Sequence, residues 1–267
     1  MVVFLFGYYA GYDLPLPIDN ALIPLISYGL VILCGLPGFY TSAATDFSLS
    51  QTTQRFILAL LVLLLVPVAQ QIFWQEPQPI NPDGEPVRVM VYNIHSGADP
   101  SGHIDLEAIA QIIEREEPHV VGLQEVSRGW VLNGSMDSLI WLAQRLDMVP
   151  VFGPAADAQW GNSVLTKLPV ESFTNHPLPP DDLLLKRAYM ELGLNRGTGQ
   201  PLTVINTHYH NPAAGGAIRE EQTATILEAW NGTAATVIMG DMNAEHGMPE
   251  IDRYVEAGFG DVLDLTS

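Results

Sequence analysis

The sequence contains little cysteine and little positive charge. Cys34 is the only cysteine among 267 residues, which excludes an intrachain disulfide and a cluster of cysteine ligands around a metal. Lysine and arginine together number 11, against 30 aspartates and glutamates, and the formal net charge is −19. Because so acidic a chain repels polyanions at long range, an extended nucleic-acid-binding surface is not expected.

Charge of either sign is also scarce in the first part of the chain, where apolar residues form long runs. Residues 21–40 and 56–73 contain no charged side chain, and each run has about the length of a helix that crosses a bilayer. They predict two transmembrane helices, the alternative being buried helices of a soluble protein. The shorter apolar stretch 1–11 predicts part of a third membrane helix.

Two further features predict how the chain is divided and oriented. Arg55 is the only basic residue near the end of either apolar run, and the positive-inside rule places the loop 41–55 in the cytoplasm. The domain that follows would then lie outside the cell or in a lumen. The polar, proline-rich stretch 75–86 predicts a linker. The predicted regions are therefore an integral membrane region, 1–74, this linker and a soluble domain, 87–267.

The soluble domain alternates strand and helix patterns. Residues 87–93, VRVMVYN, have the alternation and β-branched side chains of a strand. Leu106, Ile109 and Ile113 share one face of a predicted helix that Asp105 can cap. The segments RAYMELGL and LTVINTH are separated by a short turn and predict a hairpin. These patterns indicate a mixed α/β fold rather than a purely parallel sheet.

Polar residues follow four of the predicted strands. Ligands bind at strand ends in α/β sheets because side chains there leave the core and converge. A single Asp-x-Asn after a strand is most often a turn, and a single histidine is often structural, but four such strand ends together predict a site. Its members are Asn93, His95, Glu125, His208, Asp241 and Asn243.

Metal-assisted hydrolysis of a phosphoester is the chemistry that these side chains favour. Asn93 and Glu125 offer oxygen ligands that suit Mg²⁺, with Mn²⁺ as the alternative ion. The sequence has no HExxH motif and no set of cysteines, which disfavours zinc. Asp241 is predicted to orient or deprotonate the attacking water. Asn243 and His208 are predicted to donate hydrogen bonds to the phosphoryl oxygens.

Six segments occur in the order of the motifs of the endonuclease/exonuclease/phosphatase superfamily, which the sequence resembles from Val87 to about Asp264. They are VYNIHSG, VVGLQEV, WGNSVLTKLP, KRAYMEL, VINTHYH and VIMGDMNA. Pancreatic deoxyribonuclease, neutral sphingomyelinases and inositol polyphosphate 5-phosphatases belong to this superfamily. The resemblance implies a four-layer α/β sandwich of the deoxyribonuclease I type and Mg²⁺-dependent cleavage of phosphodiesters or phosphomonoesters.

The resemblance also implies roles for individual residues. Asn93 and Glu125 match the metal ligands, and His208 matches the phosphate-contacting histidine. Asp241 and Asn243 match the pair that positions the nucleophile. Three more residues are predicted to contact substrate, namely His95, Asn162 and Arg187. Each of the three has a structural alternative, respectively a hydrogen bond within a turn, a turn at the start of a strand, and a solvated basic pair.

Three segments show a closer similarity to membrane proteins of the GPI-anchor lipid-remodelling type, in which several helices precede such a domain. They are YNIHSG, SRGWVLNGS and GDMNAEHGMPEI. One departure concerns the last strand of the family, which carries Asp-His, because no histidine follows Asp261 or Asp264 here. His246 lies only five residues from Asp241 and is expected to face solvent rather than to replace that histidine. We therefore expect the fold to be incomplete at its C-terminal end, and residues 1–267 alone to hydrolyse little or no substrate.

Three functions fit these observations. The first is a membrane-anchored, Mg²⁺-dependent phosphodiesterase or phosphoesterase that acts on a lipid or lipid-linked head group and has membrane lipids as partners. The second is an extracytoplasmic endonuclease, which the acidity of the chain disfavours. The third is a lipid-binding or scaffold domain that keeps the fold without the chemistry.

Overall fold

Two units make up the chain in the computed structural model, Met1–Gln75 and Glu76–Ser267. The residues that the structure describes are 22, 25–26, 28–33, 50–73, 75–80, 86–130 and 133–262. The predicted partial helix 1–11 lies outside the described residues, as do much of the predicted span 21–40 and most of the second half of the predicted linker.

The first unit contains helix α1, Gln51–Phe73. The predicted segment 56–73 is therefore helical, and the helix begins where the Ser50 hydroxyl accepts a hydrogen bond from the Thr53 amide at 3.1 Å. Within the part of the chain that the structure describes, however, no helix combines the length and the apolar character that crossing a membrane requires. The two transmembrane helices stay a prediction.

The strands described in the second unit form two four-stranded sheets. The first sheet, in the order β1-β2-β4-β3, consists of β1 Val89–Asn93, β2 Val120–Ser127, β3 Val149–Asp157 and β4 Trp160–Thr166. The second sheet, in the order β5-β6-β7-β8, consists of β5 Val170–Leu178, β6 Arg187–Leu194, β7 Leu202–His208 and β8 Thr236–Asp241. The antiparallel pairing of β6 with β7 confirms the predicted hairpin.

Four of the described helices cover the outer faces of the sheets. They are α2 Leu106–Glu116, α3 Ser138–Leu146, α4 Gly216–Trp230 and α5 Pro249–Glu256. Two of them, α2 and α4, connect the parallel strand pairs. Asp105 caps α2, as predicted, by accepting a hydrogen bond from the Ala108 amide at 3.0 Å. Asp137 caps α3 in the same way through the Ile140 amide at 3.0 Å. Each such cap stabilises its helix by about 1 kcal/mol.

Three apolar cores separate four layers. The first core joins α2 and α3 to one face of the first sheet and includes Ile113, Leu142 and Leu165. The second lies between the sheets, where Val164 of the first sheet meets Met190 of the second. The third core joins the outer face of the second sheet to α4 and α5. The arrangement of helices, sheet, sheet and helices confirms the predicted mixed α/β sandwich.

The strand register brings four strand ends to one edge of the sandwich. β1 runs parallel to β2, with Asn93 paired to Gln124, and β7 runs parallel to β8, with His208 paired to Asp241. Parallel neighbours end on the same side of their sheet. Because the two sheets pack face to face, the polar residues that follow these strands are placed around one cleft.

Candidate active site

A buried polar link between the sheets lies beneath the strand ends. The Gln124 amide nitrogen donates to Asn206 Oδ1 at 2.7 Å, and Asn206 Nδ2 donates to the carbonyl oxygens of Leu123 and Ser163 at 3.2 and 2.8 Å. Both amide side chains are fully buried. A side chain at Gly122 would meet Asn206 Oδ1 at 2.9 Å, so glycine leaves the space for this link. The link fixes β2 against β7 immediately below the site.

Two carboxylates meet at the amide of Asn93. Asn93 Nδ2 donates to Glu125 Oε1 at 3.2 Å and to Asp241 Oδ2 at 2.8 Å. Glu125 has a positive φ of 59° and lies at an irregularity in the pairing of β2 with β4. An irregularity of this kind turns a side chain away from the regular alternation of the strand. Residues of both sheets, 148 positions apart in the sequence, thus form one acidic cluster.

The donor set of this cluster suits a hard divalent cation. Glu125 and Asp241 supply carboxylate oxygens, and Mg²⁺ typically binds through one or two carboxylates and several waters. Within the described residues, no group of three or more histidine, cysteine, aspartate or glutamate side chains is arranged to hold a metal ion. Asn93 Oδ1 accepts a hydrogen bond from the His95 amide at 3.0 Å. In this orientation Asn93 turns its amide nitrogen, not its oxygen, toward the two carboxylates, so its predicted role as a metal ligand stays a prediction.

The second half of the site is a buried pair of Arg187 and His208. Arg187 Nη1 lies 3.1 Å from His208 Nδ1. Because a guanidinium only donates, His208 Nδ1 accepts and the proton of the neutral ring is on Nε2. His208 Nε2 lies 3.7 Å from Asp241 Oδ2, which points this N–H toward the acidic cluster.

Burial keeps the imidazole of His208 neutral. Desolvation is the largest cause, and the charge of Arg187 adds to it; together they lower the pKa of His208 from 6.5 to about 4, against the opposing effect of Asp241. A ring with this pKa is uncharged at neutral pH. His208 is therefore a fixed hydrogen-bond donor, in agreement with its predicted contact to a phosphoryl oxygen.

Arg187 is charged, buried and incompletely hydrogen-bonded. Arg187 is 3% exposed, and its Nε has no hydrogen-bond partner among the described residues. Burial lowers its pKa, whereas the charges of Glu125 and Asp241 raise it. Its guanidinium carbon lies 6.0 Å from the centre of the Trp160 ring, a cation–π distance. A buried cation with an unused donor is suited to an anionic ligand.

Asp241 and Asn243 are held by local backbone geometry. Asp241 Oδ1 accepts from the Asn243 amide at 3.0 Å, and Asn243 has a φ of 47°, a conformation that asparagine tolerates. Asn243 Nδ2 donates to the Tyr209 carbonyl at 3.0 Å. Gly240 precedes Asp241 with a φ of 149°, and a Cβ there would lie 2.1 Å from the Thr207 carbonyl oxygen. Only glycine therefore allows the end of β8 to approach β7 this closely.

The remaining predicted contacts differ in position. His95 is exposed in a left-handed turn with Ser96, where the φ values are 45° and 55°. Trp160 Nε1 donates to Ser96 Oγ at 3.3 Å and holds this turn. Asn162 is buried and donates to the Ala188 carbonyl at 2.9 Å, so it supports β6 next to Arg187. Their contact with substrate stays a prediction.

His246 lies apart from the described contacts of the cluster. Its Nδ1 lies 2.9 Å from Asp261 Oδ2, and its side chain is half exposed. Sequence reasoning did not find the contribution of Trp160 or the link of Gln124 to Asn206. A polar amide within an otherwise apolar strand was the available signal for both members of that link.

Comparison with known proteins identifies the family of the chain. Residues 90–264 match the sequence profile of the Endonuclease/Exonuclease/phosphatase family, more than half of the chain. The chain belongs to this family. Its members are phosphoesterases and nucleases, and they typically use divalent metal ions.

Individual relatives are more distant. Protein cwh43 of Schizosaccharomyces pombe is 29% identical over 102 residues, which are 38% of this chain and 10% of that protein. An endonuclease/exonuclease/phosphatase from Beutenbergia cavernae is 25% identical with a TM-score of 0.53, over 61% of this chain and 50% of that chain. The chain thus spans a tenth of the length of the first relative and half of the second.

Two further structures share the fold. The human Nocturnin catalytic domain, solved with a bound sulfate anion, has a TM-score of 0.55 and 18% identity over 68% of this chain and 74% of that chain. ANGEL2, a 2′,3′-cyclic phosphatase solved with adenosine-2′,3′-vanadate, has a TM-score of 0.50 and 21% identity over 64% of this chain and 57% of that chain.

Proposed function

We propose that the second unit is a divalent-metal-dependent phosphoesterase, acting at a membrane on a lipid or lipid-linked phosphodiester. The observation that carries the proposal is the buried Arg187–His208 pair beside the carboxylates of Glu125 and Asp241. The sulfate and the vanadate bound to Nocturnin and ANGEL2 support an oxyanion as the ligand.

The charges of the site favour a metal ion and a phosphate together. Glu125 and Asp241 are carboxylates, Arg187 is a cation and His208 is neutral, so these four groups sum to one negative charge. A divalent cation reverses this sign and allows the anionic phosphodiester to enter. Glu125 and Asp241, with Asn93 as the predicted third ligand, would hold the ion. When bound, Mg²⁺ or Mn²⁺ would polarise the phosphoryl oxygen.

The side chains of this chain supply orientation and hydrogen bonds. Arg187 would donate hydrogen bonds from its guanidinium to a non-bridging oxygen, and His208 would donate a hydrogen bond from its Nε2–H to the same phosphoryl group. Asp241 would orient the attacking water from its partly exposed carboxylate. Asn243 would donate from its side-chain Nδ2 to charge that develops on a phosphoryl oxygen. Its backbone N–H donates to Asp241 Oδ1, and Nδ2 also donates to the Tyr209 carbonyl, which fixes the residue.

A lipid head group is the preferred substrate class for two reasons. The net charge of −19 opposes a long polyanion such as DNA but tolerates a single phosphodiester. The apolar runs 21–40 and 56–73 and the similarity to cwh43 support placement at a membrane, with the second unit outside the cell or in a lumen. Confinement to a surface raises the effective concentration of a lipid substrate.

An extracytoplasmic nuclease is the second candidate, favoured by the adenosine-2′,3′-vanadate bound to ANGEL2. The two candidates are separated by incubating the protein in Mg²⁺ with mixed-phospholipid vesicles and, separately, with plasmid DNA. We expect the vesicles and not the plasmid to be hydrolysed: whatever turnover the chain has should release a phosphorylated head group, and the plasmid should stay intact. Nicked plasmid with unchanged vesicles would reverse this order.

Ligand binding is measured beside turnover, because binding tests the site independently of the rate of the chemical step. A phosphoesterase binds inorganic phosphate at this site in the presence of Mg²⁺, and Asp241→Asn weakens that binding. If vesicles bind the protein but neither phosphate nor Mg²⁺ does, the third candidate, a lipid-binding or scaffold domain, is the better account.

A further inference from the structure

The peptide of Tyr209 joins the residues on which the proposed chemistry depends. Tyr209 directly follows His208, and its amide donates to the carbonyl oxygen of Asp241 at 2.9 Å. Its own carbonyl oxygen accepts from Asn243 Nδ2 at 3.0 Å. Since the backbone N–H of Asn243 also donates to Asp241 Oδ1, Tyr209, Asp241 and Asn243 form a closed set of hydrogen bonds. A shift of the Tyr209 peptide therefore moves both Asp241 and Asn243.

The side chain of Tyr209 is anchored away from the cleft. It is fully buried in the core between the second sheet and the helices α4 and α5. Its hydroxyl forms a hydrogen bond with the hydroxyl of Tyr254 on α5. Burial is the main reason that the pKa of Tyr254 rises to about 12 and that the pKa of Tyr209 is raised. Both hydroxyls are therefore neutral, and the contact is an uncharged hydrogen bond.

Helix α5 is itself fixed by buried polar contacts. Arg219 on α4 forms an ion pair with Glu250 on α5, and both side chains are at most 5% exposed. The Thr223 hydroxyl donates to the Glu250 carbonyl at 3.1 Å. The position of Tyr254 is thus set by two helices that buried polar contacts hold together behind the second sheet. The hydrogen bond between the two hydroxyls in turn restrains the side chain of Tyr209.

We propose that Tyr254 is a positioning residue of the site: through the Tyr209 hydroxyl it fixes the Tyr209 peptide and hence the directions of Asp241 and Asn243. This inference rests on the proposed function, which assigns the side chains of Asp241 and Asn243 their roles toward the substrate. Tyr254 touches no substrate in this account. Its effect reaches the cleft only through the hydrogen bonds of Tyr209.

The variant Tyr254→Phe removes one hydroxyl and leaves the ring in place. Its matched control is Ser138→Ala, which removes a buried hydroxyl that donates to the Ser127 carbonyl at 2.8 Å in the first sheet. Hydrogen exchange of the Tyr209 amide, measured by NMR, is compared with exchange of the Thr203 amide at the far end of β7. We expect Tyr254→Phe to speed exchange at Tyr209 by about tenfold relative to Thr203. Ser138→Ala should leave that ratio unchanged.

Binding of inorganic phosphate in Mg²⁺ gives the second readout. Tyr254→Phe should raise the dissociation constant about fivefold, the effect of one misplaced hydrogen-bond donor. In the Asn243→Ala background the same substitution should have a smaller effect, because the part that acts through Asn243 is already absent and only the part that acts through Asp241 remains. Ser138→Ala should bind phosphate as the parent protein does.

The two readouts separate the positioning role from the proposed function. An unchanged ratio of Tyr209 to Thr203 exchange overturns the positioning role, whatever phosphate does. Additive effects of Tyr254→Phe and Asn243→Ala on phosphate affinity overturn it as well. If the parent protein binds no phosphate, the proposed function fails, and the exchange ratio alone decides whether Tyr254 fixes the Tyr209 peptide.

Discussion

Two arginines of the second unit are equally buried, and their surroundings differ. Arg219 is 4% exposed and Arg187 is 3% exposed. Arg219 pairs with Glu250 through Nε and donates from Nη1 to the carbonyl oxygens of His210 and Pro212. The Arg187 side chain hydrogen-bonds only the ring of His208 among the described contacts, and its Nε lacks a hydrogen-bond partner there. A satisfied guanidinium supports the fold, whereas an unsatisfied one beside carboxylates is suited to a ligand.

Replacing Arg219 should give the largest effect on stability. Arg219→Met leaves the buried carboxylate of Glu250 without its cation, and breaking a buried pair in this way costs about 3–5 kcal/mol. Urea denaturation measures the loss in the free energy of unfolding. The double variant Arg219→Met with Glu250→Met should recover much of it, and a loss below about 1 kcal/mol in the single variant would contradict the structural role of this pair.

Replacing Arg187 should instead affect binding. Arg187→Met removes charged hydrogen bonds to a phosphate and should weaken phosphate affinity in Mg²⁺ by about 10- to 100-fold. Its free energy of unfolding should change by less than about 1 kcal/mol, because the substitution removes both the desolvation cost of a poorly paired buried charge and the few hydrogen bonds of that charge. Calorimetric titration and urea denaturation check the two parts. Arg187→Lys should retain part of the affinity; equal affinity of the methionine variant would remove the contrast between the two arginines.

The pH dependence of stability should report the buried environment of His208, to which the charge of Arg187 adds. The pKa of His208 falls from 6.5 to about 4 on folding, so the unfolded chain binds more protons between these values and stability falls as pH falls. The free energy of unfolding should therefore fall by about 2 kcal/mol between pH 7 and pH 5 on account of His208. His208→Gln should remove this part of the slope in urea denaturation at the two pH values. An unchanged slope would show that His208 protonates normally in the folded protein.

The surface pair of Arg253 and Glu220 should give the smallest effect. It joins the same helices as Arg219 and Glu250, with an N–O distance of 2.7 Å, but its side chains are 43% and 35% exposed. Arg253→Gln should change the free energy of unfolding by less than about 0.5 kcal/mol, since solvent screens an exposed pair. Thermal denaturation checks this, and a loss as large as that of Arg219→Met would mean that burial does not distinguish the two pairs.

The sequence was sufficient to predict the elements that local patterns determine. The apolar face of α2, its Asp105 cap and the hairpin of β6 and β7 follow from residues close together in the chain. The meeting of Asn93 with Glu125 was also predictable, because polar residues at the ends of neighbouring parallel strands converge, whereas Asp241 reaches them from the other sheet.

Contacts between distant residues were not predictable in this way. Trp160 lies under Arg187, and Tyr254 bonds to Tyr209 across 45 residues, and no local pattern specifies either pairing. The direction of the Asn93 amide depends on a hydrogen bond from His95, which exists only because the turn after β1 is left-handed. The sequence identified the side chains of the site, whereas packing between the sheets and the helices behind them determines their directions.

The most direct test of the central claim is the Mg²⁺ dependence of phosphate binding. If phosphate binds between Arg187 and a cation held by Glu125 and Asp241, phosphate and Mg²⁺ must strengthen each other's binding. Calorimetric titration of inorganic phosphate with and without Mg²⁺ should give an affinity at least about tenfold higher with the ion, and Glu125→Gln should abolish the difference. Phosphate binding of equal strength in the presence and absence of Mg²⁺ would contradict the account.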